Sequence, residues 1–309
     1  MLGHIKKAAL VFPGAGIELH NNEKNIYKKY QSLYAPFFRE GSAAAGIDLS
    51  ASLLNDAIPY LNDLQNQVFA YCFSAGTYRM LQANNLRPGF ASGNSFGIYA
   101  ALYAAGALSF FDGLSILKKA YDLVVGKNQG AKTGMRAVIG LGLEEIRGII
   151  SQLNLTTVIP INSNNELCHI IGGSTEELVR FDSEAFAAEV IKCVALPIEL
   201  PYHHPLYLQG IDAVFARFLE TISWHRPAYP VISTIDQQPL TDQERIIDCI
   251  AHHLCNPINW QATVEFLYGQ GIDTVFECGP GLSLTQNARF IHGNVQWINM
   301  RNIESRFPV

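Results

Sequence analysis

The order of apolar and polar positions divides the chain into short strands and helices. An apolar run over residues 8–12 stops at a Pro-Gly turn, which predicts a strand followed by a tight turn. Helical spacing then dominates to about residue 84, with 66–81 as the clearest buried helix. A short strand at 90–92 enters a glycine-rich turn, and a helix rich in small residues follows from 98 to 105. The first part of the chain therefore alternates strand and helix.

A different order holds between residues 135 and 196. Strand, helix, two strands, helix and strand follow one another there, which is the β-α-β-β-α-β order of a ferredoxin-like module. These elements are predicted at 135–141, 143–153, 158–163, 168–171, 175–187 and 190–196, with an Asn-rich turn between the two middle strands. Alternating helix and strand signals resume afterwards. We therefore predict an α/β fold in which residues 1–132 and 198–309 form a large domain and residues 133–197 a small inserted domain.

The composition is that of a globular protein with a sizeable core, since 49% of the 309 residues are apolar and 16% are charged. A net charge of −5 without clustered Lys and Arg argues against nucleic acid as a partner. The first apolar run is too short for a signal peptide or a membrane span, and six cysteines without a C-x-x-C pair indicate reduced, buried thiols. We expect a cytoplasmic protein that binds neither membrane nor nucleic acid.

The most informative turn is Gly-Asn-Ser-Phe-Gly at residues 93–97, between a predicted strand and a predicted helix. This arrangement is typical of a nucleophile elbow, in which glycines permit a sharp turn and the hydroxyl of Ser95 stays exposed. The amide of Phe96 would then point to where an oxyanion forms, and the helix dipole would help to hold the negative charge. A glycine-rich turn whose serine only caps the helix is the alternative that the pentapeptide leaves open.

A serine nucleophile needs a base, and histidine has the side-chain pKa that suits this task near neutral pH. Two adjacent histidines, His203 and His204, lie in a Pro-Tyr-His-His-Pro segment over residues 201–205. Either histidine could equally be an ordinary loop residue. Because consecutive side chains diverge, this pair and the pair at 252–253 make poor metal ligands, and no metal site is predicted.

Six segments of the chain, in this order and at this spacing, resemble the malonyl-CoA:acyl-carrier-protein transacylases and the related acyltransferase domains of polyketide synthases. They are Val-Phe-Pro-Gly-Ala-Gly at 11–16, Gly-Asn-Ser-Phe-Gly at 93–97 with Tyr-Ala-Ala-Leu at 99–102, Ala-Ala-Gly-Ala-Leu-Ser-Phe at 104–110, Tyr-His-His-Pro-Leu at 202–206, Asn-Pro-Ile-Asn-Trp at 256–260 and Glu-Cys-Gly-Pro-Gly at 277–281. The resemblance covers essentially the whole chain. It implies an α/β-hydrolase-like large domain with a ferredoxin-like (βαββαβ) insertion.

The resemblance also implies catalytic roles for matching positions. Ser95 would be the acylated nucleophile, and His203 rather than His204 its general base. The main-chain carbonyl of Asn256 would orient the histidine, in place of the aspartate of a three-residue triad. The amides of Ala15 and Phe96 would form the oxyanion hole.

Further implications of the resemblance concern the substrate and the partner. Gln67 matches a glutamine that lines the active site of the family. The substrate would be an acyl-CoA or an acyl group on the phosphopantetheine arm of an acyl carrier protein, and no permanently bound cofactor is expected. The carrier protein would be the partner, and we expect the chain to be a monomer.

One departure from the family pattern bears on the acyl group. The arginine that pairs with the carboxylate of malonate in the family falls on Ala120, and the adjacent Lys119 points about 100° away around the helix. A malonyl carboxylate buried without a partner costs about 3–5 kcal/mol, or about two to three powers of ten in binding. Malonyl is therefore disfavoured, unless Arg136 reaches in from the small domain to supply the missing charge.

Other departures lie around the same site. Ala15 replaces the family glutamine, Asn94 the histidine before the nucleophile, Phe96 a leucine and Ile98 a glutamate. Tyr202 stands at a position that often varies with acyl choice in polyketide acyltransferases. Together with the missing arginine, these changes predict a pocket reshaped for an uncharged acyl group.

Three functions remain open from the sequence. The first is a transferase that moves an uncharged acyl group between a thioester and the thiol of an acyl carrier protein. The second is an acyl hydrolase that uses the same serine and histidine but releases stalled acyl chains from carrier proteins to water. The third is a catalytically inactive relative that only binds carrier protein, which the retained Ser95, His203, Asn256 and Gln67 disfavour.

Overall fold

A computed structural model gives the structure of residues 7–14, 21–55 and 61–306. Helices and strands alternate through most of these residues. In chain order they are β1 (Ala8–Phe12), α1 (Asn21–Lys29), α2 (Gln31–Ala45), α3 (Leu49–Leu54), α4 (Asp63–Ala83), β2 (Phe90–Gly93), α5 (Gly97–Ala104), α6 (Phe110–Asn128), β3 (Thr133–Ile139), α7 (Leu143–Gln152), β4 (Ile159–Asn165), β5 (Cys168–Ser174), α8 (Thr175–Ala187), β6 (Lys192–Ala195), α9 (Ile211–Leu219), β7 (Val231–Ile232), β8 (Pro239–Leu240), α10 (Gln243–His253), β9 (Ile258–Asn259), α11 (Trp260–Gly269), β10 (Thr274–Glu277), α12 (Ser283–Ala288), β11 (Gln296–Ile298) and α13 (Met300–Arg306).

The larger sheet has the strand order β11-β10-β1-β2-β7-β8 among the described residues. All neighbouring strands are parallel except the β7–β8 pair. β1 lies at its centre, and all five of its residues, Ala-Ala-Leu-Val-Phe, are buried. A parallel strand that helices cover on both faces needs such a continuous apolar run, which explains why the pattern predicts this strand at its observed bounds.

Helix α4 is a buried helix that packs against α2, α5 and α6. Every residue from 67 to 77 is buried, so the helix has no solvent-facing stripe in its middle turns. Its N-terminus is stabilised by a capping box, in which Asn62 and Gln65 each accept a backbone N–H of the other. Packing against these three helices keeps the middle turns of α4 away from solvent.

The smaller sheet has the order β6-β3-β5-β4-β9. Its first four strands pair antiparallel, and α7 and α8 cover one face over a separate apolar core that includes Val138, Ile171 and Phe181. This is the predicted ferredoxin-like arrangement, and the predicted α/β fold class is confirmed. The domain limits at 133 and 197 stay a prediction, since β9 joins this sheet from a later part of the chain.

The structure differs from the predicted elements where strands are very short. The apolar pattern predicts a strand at 231–235, but only Val231–Ile232 forms one, and the two-residue β8 and β9 have no counterpart in the predicted order. Two-residue strands carry too few side chains for an alternating pattern, so their position depends on the partner strand. None of the helices in the described ranges has the length and apolarity that a membrane span requires.

Candidate active site

The carboxyl ends of three neighbouring parallel strands meet at one edge of the larger sheet. β1 ends before Pro13 and Gly14, β2 runs into Asn94 and Ser95, and β10 runs into the Gly-Pro-Gly turn at 279–281. Ligands of open α/β sheets bind in the crevice outside these strand ends. The strand order therefore brings together three segments that are far apart in the chain, at 13–14, 94–95 and 279–281.

Ser95 lies at the tip of a sharp turn between β2 and α5. Its φ angle is 53°, in the left-handed region that non-glycine residues rarely adopt. The turn is possible because the residues two positions before and after Ser95 are both glycine. A Cβ on Gly93 would lie 1.9 Å from the carbonyl carbon of Gly97, and a Cβ on Gly97 would lie 2.1 Å from the Phe12 carbonyl oxygen. This is the geometry of a nucleophile elbow rather than of an ordinary capping serine.

His203 lies directly opposite the serine. Its Nε2 is 2.8 Å from Ser95 Oγ, across 108 residues of sequence. The φ angle of His203 is 61°, and its own N–H donates to the Leu254 carbonyl over 2.7 Å. Two residues in strained left-handed conformations, joined by a hydrogen bond, indicate a pair that the surrounding structure holds in place for chemistry.

The second ring nitrogen of His203 settles the tautomer. Nδ1 lies 2.7 Å from the carbonyl oxygen of His253, and a carbonyl only accepts. Nδ1 therefore carries the proton and Nε2 is free to accept the proton of Ser95. The family resemblance implies this orienting role for the Asn256 carbonyl, whereas in the structure the 2.7 Å hydrogen bond goes to the His253 carbonyl. The Asn256 backbone is a second, smaller influence that also raises the pKa of the ring.

Burial keeps the imidazole neutral. Desolvation lowers the pKa of His203 from its usual 6.5 to about 4, and the backbone carbonyls of His253 and Asn256 oppose this only in part. At neutral pH the ring is therefore unprotonated. It is ready to act as a base without first losing a proton.

An oxyanion site is available beside the serine. Phe96 is the N-cap residue of α5, so its amide N–H points out of the helix N-terminus without an intrahelical acceptor, and Phe96 lines the same cavity as Ser95. Ala15, the other predicted donor, lies outside the described residues. Its neighbour Gly14 is described and forms part of the cavity wall.

Ser95 and His203 open into a cavity of about 240 Å³ between the two sheets. Apolar side chains and neutral amides line it. Several of the apolar residues come from the smaller sheet and the segment that follows it, and they include Met135, Ile161, Ile170, Leu196 and Ile198. Among the described residues that line the cavity there is no lysine or arginine. The described part of the wall therefore offers neither of these cations to a substrate carboxylate.

Tyr202 closes one side of the cavity. Its ring meets the ring of Phe96 edge to face at 4.8 Å between centroids, and its hydroxyl accepts a hydrogen bond of 3.0 Å from Gln67 Nε2. The predicted site residue Gln67 is buried behind Tyr202 and does not itself line the cavity. Burial raises the pKa of the Tyr202 hydroxyl well above its usual value, so the group stays neutral.

Ala120 and Arg136 both lie away from the cavity wall. Ala120 is fully buried in the main core within α6, and no residue of that helix lines the cavity. The sequence leaves open that Arg136 supplies the missing charge, and the structure does not place Arg136 at the cavity. Its Nε donates to Asp182 of α8 at 3.0 Å, because successive residues of a strand face opposite sides and Met135, not Arg136, faces the cavity.

Asn94 belongs to a cluster of amides that sequence reasoning missed. Asn162 Nδ2 donates to Asn94 Oδ1 at 3.2 Å and to Asn164 Oδ1 at 3.0 Å, and Asn94 Nδ2 lies 3.4 Å from Asn164 Oδ1. All three line the cavity. The Asn-rich segment at 162–165 was the only sequence signal; its second half is predicted as a turn, whereas the structure extends strand β4 to Asn165.

Two other histidines near the pair make structural contacts. His204 Nε2 lies 2.8 Å from the Thr157 carbonyl oxygen, and the ring of His253 packs edge to face on that of His203 at 5.0 Å between centroids. Within the described part of the chain, no group of three or more His, Cys, Asp or Glu side chains is arranged to hold a metal ion.

The chain is similar to known acyltransferases over most of its length. The malonyl CoA-acyl carrier protein transacylase of Escherichia coli strain K12 is 30% identical over 283 residues, 90% of each protein. The polyketide biosynthesis protein PksE of Bacillus subtilis is 28% identical over 89% of this chain, and the match occupies 35% of that longer protein. No protein-family model matches the chain.

Solved structures share the fold. An acyl carrier protein S-malonyltransferase from Vibrio cholerae has a TM-score of 0.86, covering 97% of this chain and 100% of its own at 24% identity. A malonyl-transacylase solved in complex with its holo type II polyketide acyl carrier protein has a TM-score of 0.84, covering 95% and 96% at 25% identity.

Proposed function

Because the chain belongs to the family of malonyl-CoA:acyl carrier protein transacylases and is an acyltransferase, we propose that it transfers an uncharged acyl group between thioesters through an acyl-enzyme on Ser95. The donor is an acyl-CoA or an acylated carrier protein, the acceptor is the phosphopantetheine thiol of an acyl carrier protein, and the setting is fatty-acid or polyketide synthesis in the cytoplasm. The acyl-group part of the proposal rests on one observation: the described residues that line the cavity include no lysine or arginine.

The first half-reaction follows from the Ser95–His203 pair. The serine oxygen attacks the thioester carbonyl carbon as its proton passes to His203 Nε2, and the carbonyl electron pair moves onto the oxygen near the Phe96 amide. The tetrahedral intermediate then collapses, the carbon–sulfur bond breaks, and His203 returns the proton to the departing sulfur. The His253 carbonyl stabilises the imidazolium that exists between these two proton transfers.

The second half-reaction repeats these steps in reverse with a new thiol. His203 Nε2 takes the proton of the acceptor thiol, the thiolate attacks the acyl carbon, and Ser95 leaves with the proton that the histidine returns. Neither step needs a bound cofactor, because the pantetheine thioester itself supplies the activated carbonyl.

Three features of the described residues support an uncharged acyl group. Arg136 is engaged by Asp182, and Ala120 leaves α6 without a cation at the matching position. The region behind Tyr202 is acidic instead: burial, together with the nearby Glu199 carboxylate, raises the pKa of Asp63 to about 6. A malonyl carboxylate would therefore meet apolar side chains and neutral amides in the cavity, with negative charge beyond them. The named relatives are malonyl transacylases, so malonyl is the competing substrate to test against.

A hydrolase is the second candidate. The side-chain amides of Asn94, Asn162 and Asn164 line the cavity beside the nucleophile. A cavity with enough volume and such polar groups can hold a water molecule near the acyl-enzyme. Water in place of the acceptor thiol would release a free acid. The Ser95–His203 hydrogen bond argues against an inactive relative that only binds carrier protein.

One experiment separates these functions. The protein is mixed with acetyl-, butyryl- or malonyl-carrier protein. Acylation of Ser95 is followed by mass spectrometry, and the released free acid is measured by chromatography. We expect acetyl or butyryl to load about two to three powers of ten faster than malonyl, and the acyl group to move onto a second carrier protein. The Ser95→Ala variant is the control and should give neither product.

The other outcomes are equally definite. Faster loading by malonyl would refute the proposed acyl preference while leaving the acyltransferase assignment in place. Free acid formed without transfer, and absent in Ser95→Ala, would assign the hydrolase. Absence of any acyl-enzyme with all three donors would overturn both enzymatic functions.

A further inference from the structure

Three apolar side chains in the cavity keep part of their surface accessible. Ile170, Leu196 and Ile198 line the cavity together with Ser95 and are only partly buried, although each packs against the main core. Because they line the cavity, their accessible surface is available to a group that is bound there. A concave site with accessible apolar side chains is the usual setting for an apolar ligand.

This apolar surface begins next to the nucleophile. Asn162 of β4 lies beside the turn that carries Ser95, since its Nδ2 is 3.2 Å from Oδ1 of the preceding residue, Asn94. On the neighbouring strand β5, Ile170 is in register with Asn162. Residues in register on neighbouring strands share a face of the sheet, and both residues line the cavity. An acyl group on Ser95 that extends over the smaller sheet therefore meets Ile170 first.

The apolar surface continues over the next two strands. Met135 of β3 lines the cavity, and its carbonyl accepts the N–H of Leu196, just after β6, at 3.1 Å. Ile198 follows Leu196 two residues later and lines the cavity as well. Neighbouring strands lie about 4.8 Å apart, so the path from Asn162 across β5 and β3 to Leu196 covers about 14 Å. An acetyl or butyryl group on Ser95 is too short to cover that distance.

Resting on the proposed function, we infer that Ile170, Leu196 and Ile198 form a binding site for an aliphatic acyl chain longer than butyryl, which extends from Ser95 along the smaller sheet. Saturated carbon has no hydrogen bonds to lose when it leaves water for these side chains. The amides of a pantetheine arm do need hydrogen-bond partners, and the neutral amides elsewhere in the cavity are suited to supply them. The substrate class is therefore a medium-chain acyl thioester.

A series of pantetheine thioesters that differ only in the acyl chain tests this site. Acetyl, butyryl and hexanoyl groups are each joined to pantetheine, and the second-order rate constant for acylation of Ser95 is measured by mass spectrometry with the full chain. We expect this rate constant to rise about fourfold per methylene from acetyl to hexanoyl, which corresponds to about 0.8 kcal/mol for each buried methylene. The affinity of the same thioesters for Ser95→Ala, measured by calorimetry, should rise in the same proportion.

Variants assign the chain-length dependence to the site. Leu196→Phe adds bulk where the far end of a hexanoyl chain would lie, so it should slow hexanoyl loading by about tenfold and leave acetyl loading nearly unchanged. Ile198→Phe is a second variant with the same expected effect. Leu167→Phe is the matched control, because Leu167 is 47% exposed between β4 and β5 and does not line the cavity, so all three rates should stay unchanged. Thermal unfolding shows which variants keep the fold.

Each result decides the inference. A rate constant and an affinity that stay level or fall from acetyl to hexanoyl would overturn it. Folded Leu196→Phe and Ile198→Phe proteins that slow all three groups equally would do the same, as would an equal selective loss of hexanoyl loading in Leu167→Phe. Failure of the proposed function has a different signature, which is faster loading by malonyl than by acetyl and butyryl, or the absence of an acyl-enzyme. The affinities of Ser95→Ala for the three thioesters decide the inference in that case as well.

Discussion

Replacing Gly97 by alanine should damage the turn that presents Ser95. The added Cβ would lie 2.1 Å from the Phe12 oxygen, 2.7 Å from the Phe12 carbonyl carbon and 2.8 Å from the Pro13 oxygen. All three atoms are backbone, and the Phe12 oxygen also accepts the N–H of Asn94 at 2.9 Å. No rotamer change can relieve this contact, so β1 and the N-terminus of α5 must separate.

The size of the effect follows from the displacement. The closest contact must widen from 2.1 Å to at least 3.4 Å before it becomes ordinary van der Waals contact. Overpacking of a well-packed region costs about 1–3 kcal/mol, and a backbone clash belongs to the upper end of that range. A shift of about 1 Å in the nucleophile costs about a hundredfold in rate. We therefore expect a loss of about 3 kcal/mol in the free energy of unfolding and at least about a hundredfold slower acylation.

Urea unfolding and the rate of Ser95 acylation by a butyryl thioester measure the two effects. Gly126→Ala is the matched control, because Gly126 is exposed within α6 and its added Cβ would meet no atom within 4 Å. That variant should be more stable by about 0.5–1 kcal/mol, since alanine is the better helix former. A Gly97→Ala protein with wild-type stability and wild-type acylation would refute the steric account of the elbow.

Three further predictions concern charge and hydrogen bonding. Burial lowers the pKa of His203 to about 4, and only the neutral ring accepts the serine proton. The acylation rate should therefore stay high down to about pH 5 and fall with a midpoint of about pH 4. A midpoint near pH 6.5 would contradict this. Tyr202→Phe should lower the free energy of unfolding by about 1–2 kcal/mol because it leaves Gln67 Nε2 buried and unpaired, and adding Gln67→Leu should cost less than the sum of both changes in a double-mutant cycle. Arg136→Met should lower the free energy of unfolding by about 2 kcal/mol because it leaves Asp182 without its ion-pair partner. The ratio of butyryl to malonyl loading should stay unchanged. A changed ratio would show that Arg136 acts on the substrate after all.

The fold was accessible from the sequence because its signals are local. The β1 run, the small-residue helix after Ser95 and the β-α-β-β-α-β order between residues 133 and 195 each depend on neighbours a few positions away. The same holds for the elbow, since Gly93 and Gly97 relieve clashes within one turn and against the adjacent strand. The residue types therefore indicated the nucleophile before any long-range contact was known.

The details of the cavity were not accessible in the same way. The hydrogen-bond partner of the His203 ring is a carbonyl 50 residues away. Asn162 donates to a residue 68 positions earlier, and the direction of the Arg136 side chain depends on its ion pair with Asp182 of α8. Backbone carbonyls are present at every residue, so no residue type marks the one that accepts the hydrogen bond.

The sequence alone therefore determined the family, the alternation of elements and a serine at a glycine-flanked turn. Only the tertiary structure decided that the His253 carbonyl holds the base and that Gln67 holds Tyr202 in the cavity wall. It also decided that amides, and no lysine or arginine, are among the described residues that line the cavity. The physical reason is that local patterns set which elements form, whereas the chemistry of a cavity depends on which atoms the packed elements bring within hydrogen-bond distance.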